Sequence, residues 1–93
     1  MPYCSHALVI TPDADLAQII STLAQEQFNA LSAHVLDNGE YNIDGGLNDV
    51  RARVDISTRH VRFFCRYEND VHRTDEKVSN FAQNHQELCQ LAK

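Results

Sequence analysis

The residue types best suited to metal coordination lie near the two ends of this 93-residue chain. Cys4 and His6 are two positions apart, and His85 and Cys89 are four apart in a segment with helical spacing. Residues i and i+4 share one face of a helix, so His85 and Cys89 would point in nearly the same direction. Two cysteines and two histidines can complete a tetrahedral zinc site. This zinc-stabilised domain stays an alternative interpretation, because the same residues can equally be two buried cysteines and two ordinary histidines.

A second group combines arginines with an aromatic ring in a predicted β-hairpin. Residues 50–56 and 61–67 alternate between apolar and polar types, and pairing Ile56 with Val61 makes every inward residue face another inward residue. Guanidinium groups around an aromatic ring can bind an anion, a nucleic acid or an acidic protein. The predicted partner-binding residues, all on the outer face of the hairpin, are Arg51, Arg53, Arg62, Phe64 and Arg66.

The same register also offers a purely structural explanation for these charges. It sets Asp55 opposite Arg62 and Arg53 opposite Phe64, so that ion pairing and stacking neutralise part of the face. The register also pairs Arg51 with Arg66. The acids Asp49 and Glu68 lie diagonal to this pair and can neutralise it. Such a pattern is more often a solvated, salt-bridged face than a dedicated site. This explanation accounts least well for Phe64, because an aromatic ring on an open sheet face often contacts a partner.

The sequence contains no short catalytic motif. It lacks G-x-S-x-G, H-E-x-x-H and the P-loop pattern, and Cys65 occupies an inward strand position where a thiol is usually inert. We therefore expect a non-enzymatic protein that has no cofactor. The alternative is a small enzyme or ligand-binding domain with a pocket between sheet and helices, lined by polar side chains such as Tyr41, Tyr67 and His85.

Charge and composition narrow the classes of partner and the compartment. The chain has 13 acidic and 8 basic residues, for a net charge of −5, and every basic residue follows position 50. Because phosphate affinity depends on clustered Lys and Arg, we do not expect nucleic-acid binding. We expect neither a signal peptide nor a membrane span, because no apolar run approaches the ~20 residues that a span needs. The three cysteines have no framework spacing, so we expect a cytoplasmic protein with free thiols.

Apolar periodicity predicts the elements that carry these residues. Thr11 and Pro12 are typical of a helix start, and Thr74 is the candidate N-cap of a second helix. A three-residue loop ending at Gly39 would pair Val35 with Tyr41 and give the glycine a left-handed backbone. In chain order the predicted elements are a strand at 7–10, a helix at 12–27, strands at 31–35, 40–44, 50–56 and 61–67, and a helix at about 74–92.

These elements predict one α+β domain over residues 1–93. It is a four-stranded antiparallel meander, plus a short N-terminal strand, with two helices packed on one face in the order β-α-β-β-β-β-α. In its shortness and lack of motifs the chain resembles small proteins of bacteria and mobile gene cassettes. A domain of this size buries only roughly 60–65% of its unfolded surface. Dimerisation adds buried surface, so we expect a homodimer that forms through the open sheet face. We expect the protein to be a binding or regulatory module, for which another protein is the candidate partner.

Overall fold

A computed structural model describes most of the chain, in five segments: residues 3–4, 6–29, 33–35, 39–43 and 50–92, without the side chains of Cys4 and His34. Several predicted features lie outside the described residues. They are the start of the strand at 31–32, most of the loop before Gly39, the Gly45-Gly46 interruption between strands, and Asp49.

The described residues form seven strands in one antiparallel sheet, with two helices. The strand order is β3-β4-β5-β6-β2-β7, and β1 also pairs with β6. The α+β class and the meander of four consecutive strands, β3 to β6, are confirmed. In chain order the elements are β1 (Tyr3–Cys4), β2 (Leu8–Ile10), α1 (Leu16–Phe28), β3 (His34–Val35), β4 (Tyr41–Asn42), β5 (Arg51–Asp55), β6 (His60–Cys65), α2 (Asn69–Asn84) and β7 (Cys89–Leu91).

Both helices bury their apolar stripes against the same face of the sheet, as predicted. Strands β5 and β6 contribute alternate residues to this core because successive side chains of a strand point to opposite faces. The largest buried rings are Phe63 from β6 and Phe81 from α2. Other core residues include Leu8, Ile10, Ile19, Ile20, Leu23, Ala52, Val61 and Val78. The opposite face, which carries the arginines, has neither helix packed on it.

The predicted start of α1 is wrong by about one turn. The helix begins at Leu16, and its N-cap is Asp15, whose carboxylate accepts hydrogen bonds from the backbone N–H groups of Ala17 and Gln18. Thr11 instead begins a turn in which its carbonyl accepts the N–H of Ala14. An aspartate at the N-cap satisfies two helix donors at once, which Thr11 does not do here.

The second helix is displaced towards the N-terminus relative to the prediction of residues 74–92. It spans Asn69–Asn84, and Thr74 is a fully buried residue inside it rather than a cap. The Thr74 hydroxyl accepts a hydrogen bond from the Cys65 thiol at 3.2 Å, which compensates for its burial. The chain then turns at His85, and β7 follows because β2 offers it an edge on which to pair.

The β5–β6 hairpin has a register two residues away from the predicted one. Val54 pairs with Val61, so Ile56 lies in the turn instead of facing Val61. A shift of two residues leaves the side chains within β5 and β6 on their predicted faces. Ile56 and Tyr67, which were predicted to point inward, lie outside the two strands and are exposed. The first hairpin is as predicted, because Val35 pairs with Tyr41 and Gly39 has a φ of +83°. Within the described part of the chain, neither helix is long and apolar enough to cross a membrane.

Candidate functional site

The open face of the β5–β6 hairpin is organised around an acid that the sequence analysis did not single out. Glu40 precedes β4, and its carboxylate Oε2 accepts hydrogen bonds from Arg53 Nε at 3.0 Å and Nη2 at 2.7 Å. Arg51 lies 3.9 Å from the other carboxylate oxygen. Because β4 pairs with β5, with Tyr41 opposite Ala52, Glu40 reaches the same face as both arginines. A buried carboxylate thus positions two of the predicted arginines.

Phe64 is held against the arginines that surround it. It pairs across the strands with Arg51, and the guanidinium of Arg53 lies 5.2 Å from the centre of its ring. This distance is within the range of a cation–π contact, which is strongest when the pair is shielded from water. The predicted contact between Arg53 and Phe64 is confirmed, although the two residues are diagonal neighbours and not directly opposite.

Arg62 differs from the other arginines of the face. It lies directly opposite Arg53, and its side chain has no hydrogen bond or ion pair with any described residue. Its predicted partner, Asp55, pairs instead with His60. Like charges opposite each other in a sheet repel, and the engagement of Arg53 by Glu40 reduces that repulsion. Arg62 is therefore an exposed cation that is free to contact a ligand.

Asp55 is occupied within the hairpin turn. Its carboxylate accepts hydrogen bonds from the Ser57 hydroxyl at 2.7 Å and from the backbone N–H groups of Ser57 and Thr58. The Ser57 hydroxyl is the largest cause that holds the pKa of Asp55 below its usual 3.8, followed by the Thr58 N–H. A carboxylate satisfied in this way leaves Arg62 without a neutralising partner in the part of the chain that the structure describes.

A shallow depression of about 630 Å³ lies at the turn end of this face. Its rim combines cationic and apolar groups, with Arg62 and Arg53 beside Phe64 and the exposed Ile56. The fifth predicted residue, Arg66, lies beyond the end of β6, with its guanidinium 5.6 Å from the Tyr67 ring. Three of the four predicted arginines therefore cluster around Phe64, whereas Arg66 lies near the start of α2.

The two histidines of the candidate zinc site have separate surroundings in the structure. His6 contacts Asp75 of α2, and its backbone N–H donates to that carboxylate at 2.8 Å. His85 Nε2 lies 2.7 Å from a carboxylate oxygen of Glu26 on α1. Among the described residues, no group of three or more His, Cys, Asp or Glu side chains is arranged to hold a metal ion. The Cys4 side chain is outside that set, so the zinc site stays a prediction from the sequence.

The residues expected to line an internal pocket do not come together. Tyr67 lies just before α2, and His85 lies just after it. The helix has 16 residues, which corresponds to a length of about 24 Å. Tyr67 is also more than half exposed, whereas Tyr41 packs against the core. A single pocket lined by Tyr67 and His85 is therefore ruled out by their positions at opposite ends of the helix.

The two described thiols, Cys65 and Cys89, are free and buried. Loss of hydration raises the pKa of Cys65, and it raises the pKa of Cys89 to about 11. Because the thiolate is the reactive form, neither group is activated as a nucleophile.

Comparison of the chain with protein-family models, with curated proteins and with solved structures gave no match.

Proposed function

We propose that this protein is a small, non-enzymatic binding module that contacts an acidic protein segment through its open sheet face. The observation that carries the proposal is Arg62, an exposed guanidinium that lies beside Phe64 and has no partner among the described residues. A carboxylate of the partner would supply the charge-assisted hydrogen bonds that Asp55 does not.

Phe64 contributes the apolar part of the same contact. Its ring is already oriented by the guanidinium of Arg53, so binding loses little side-chain freedom at this position. Interfaces are commonly anchored by an aromatic or arginine side chain near their centre, and this face presents both types together. The exposed Ile56 at the hairpin turn would extend the apolar contact.

The charges favour an acidic partner over a second copy at this face. A two-fold dimer brings a surface patch against the same patch of its partner. Here that would bring arginines such as Arg62 together, with Glu40 and Asp55 already occupied internally. Homodimerisation through the face, expected from the sequence, therefore becomes the competing outcome of the experiment below. We also propose a cytoplasmic location, consistent with Cys65 and Cys89 being free thiols.

The experiment uses a defined acidic probe. An acetylated and amidated octapeptide of alternating glutamate and valine is titrated into the protein, and binding is followed by NMR chemical shifts. We expect shifts centred on the amides of Arg62 and Phe64, and about a tenfold weaker binding for the Arg62→Ala variant. The matched control is Arg73→Ala, which removes the same charge from α2, where Arg73 pairs with Asp70.

Three outcomes would contradict the proposal. The first is an Arg73→Ala variant that loses as much affinity as Arg62→Ala, because binding would then depend only on net charge. The second is equal binding of a peptide in which glutamine replaces glutamate. The third concerns Phe64→Asp: a conversion from dimer to monomer would assign the face to self-association.

A further inference from the structure

The sheet has a second surface capable of binding, at the edge strand β7. The backbone N–H of Ala92 donates to the carbonyl of Ala7, and the N–H of Thr11 donates to the carbonyl of Leu88, both at 2.9 Å. Hydrogen-bonded pairs in an antiparallel ladder recur at every second residue. Leu91 lies between two of these hydrogen-bonded pairs, so its N–H and C=O point away from β2 and towards the open side of the sheet.

A groove of about 420 Å³ runs beside this edge, between β7 and α2. Both Cys89, which faces the core, and Gln90, which faces the opposite side, border the groove. Successive side chains of a strand point to opposite faces of the sheet, so a groove bordered by both kinds of residue must lie along the edge of the strand. An added strand would therefore find main-chain partners at Leu91 and space for alternate side chains against α2.

The lining of the groove carries no charge. It consists of Ser79, Ala82, Gln83, Gln86, Cys89, Gln90 and Leu91. The strand also lacks the lysine, proline or inward charge with which edge strands usually avoid pairing. The groove itself therefore adds no like-charge repulsion between two copies of a chain whose net charge is −5.

We propose that the β7 edge pairs with the β7 edge of a second copy, in an antiparallel arrangement about a two-fold axis. With Leu91 opposite its equivalent, each copy donates its Leu91 N–H to the Leu91 carbonyl of the other. The sheet then continues across the dimer, and the neutral faces of the two α2 helices approach over the groove. The open face with Arg62 stays accessible on both copies, so this inference does not depend on the proposed function.

Sedimentation equilibrium of the intact protein tests the assembly, and hydrogen exchange tests the edge. We expect a species of twice the 10.6 kDa chain mass. In this dimer the Leu91 amide gains protection as the protein concentration rises. The Gln90 amide, which belongs to a hydrogen-bonded pair with Val9, is protected at all concentrations.

Two kinds of variant test the same contact by different means. Gln83→Lys with Gln86→Lys adds four positive charges around the two-fold axis, at exposed positions where lysine is compatible with folding. Leu91→Pro removes the outward N–H while leaving the pairs with β2 in place. We expect each variant to be a monomer. The control Asn80→Lys with Asn84→Lys adds the same charge at two exposed helix positions outside the groove and leaves the dimer unchanged.

The inference fails if the wild-type protein is a monomer at millimolar concentration. It also fails if the dimer persists in the double lysine variant, or if the Leu91 amide exchanges freely in the dimer. Loss of the dimer in Phe64→Asp alone would transfer the interface to the open face. Binding of the acidic octapeptide is expected to survive the double lysine substitution, so the two proposals can fail separately.

Discussion

Arg53 donates two hydrogen bonds to a single carboxylate oxygen of Glu40, and the two residues come from adjacent strands. Glu40 is only 7% exposed, whereas 64% of the Arg53 side chain is exposed. A buried carboxylate is strongly disfavoured unless it is paired. The arginine therefore stabilises the acid, and the acid in turn holds the guanidinium near the Phe64 ring.

Substitution of Glu40 tests this arrangement. We expect Glu40→Gln to lower the free energy of unfolding by about 1–2 kcal/mol, because it replaces charge-assisted hydrogen bonds with neutral ones at a buried position. Urea denaturation measures the change. The matched control is Glu76→Gln, whose carboxylate is exposed on α2 and 3.7 Å from His72. Equal destabilisation by the two substitutions would show that Glu40 has no special role.

The same substitution has a consequence for binding. Glu40→Gln removes a negative charge from the open face and releases Arg53, so the acidic octapeptide should bind more tightly, by about twofold to fivefold. An NMR titration at low salt measures the effect, which should diminish as salt screens the charges. Weaker binding would mean that the orientation of Arg53 by Glu40 matters more than the charge it neutralises.

Arg59 permits a test that separates backbone strain from side-chain contacts. It has a φ of +57°, and its guanidinium donates hydrogen bonds to the Thr11 carbonyl at 2.7 and 3.0 Å and to the Ala14 carbonyl. Both Arg59→Ala and Arg59→Gly lose these bonds, but only glycine adopts a positive φ without steric penalty. We expect the glycine variant to be more stable than the alanine variant by about 1 kcal/mol.

The free energies of unfolding of both variants and of the wild type measure this difference. The wild type should be the most stable of the three, since its guanidinium joins the hairpin to the turn before α1. An alanine variant at least as stable as the glycine variant would contradict the left-handed conformation at this position.

Arg59 also explains why the hairpin register could not be read from the sequence. Alternation of apolar residues assigned the side chains of β5 and β6 to the faces on which they are observed. It could not locate the turn, because two registers that differ by two residues give the same alternation. The observed turn depends on the contact of Arg59 with Thr11, 48 positions away along the chain. Local patterns contain no signal for such a contact.

Glu40 and β7 were missed for a related reason. Glu40 is recognisable only when β4 is aligned with β5, and the loop between them leaves that alignment undetermined in the sequence. The segment of β7 continues the helical spacing that predicted a helix to residue 92. It forms a strand because the free edge of β2 provides backbone partners, and tertiary pairing of this kind overrides local propensity.

Cys89 predicts a loss of stability at alkaline pH. Burial raises its pKa from 9.0 to about 11 in the folded protein. Below pH 9 the thiol is protonated in both states, whereas between pH 9 and pH 11 only the unfolded chain loses the proton. The free energy of unfolding should therefore fall across this window, by on the order of 2 kcal/mol in total.

The variant Cys89→Ala isolates this contribution. Its stability relative to the wild type is measured by urea denaturation at pH 8, 9, 10 and 11. The wild type should be the more stable protein at pH 8, and the difference in stability should shrink as the pH rises. Other titrating groups are the same in both proteins, so their contributions cancel in this difference. A difference that stays constant up to pH 11 would contradict the raised pKa.

Ile56 distinguishes the observed register of the β5–β6 hairpin from the one that the sequence favours. In the structure it lies in the turn and is 77% exposed, so Ile56→Ser should change the free energy of unfolding by less than about 0.5 kcal/mol. In the alternative register Ile56 faces Val61 in the core, and the same substitution would cost about 3 kcal/mol or more. Val61→Ala, at a buried position in both registers, is the control and should destabilise by about 1–3 kcal/mol. Urea denaturation of the three proteins measures both effects, and a large loss for Ile56→Ser would require the hairpin, and with it the pairing of Arg62 with Arg53, to be reassigned.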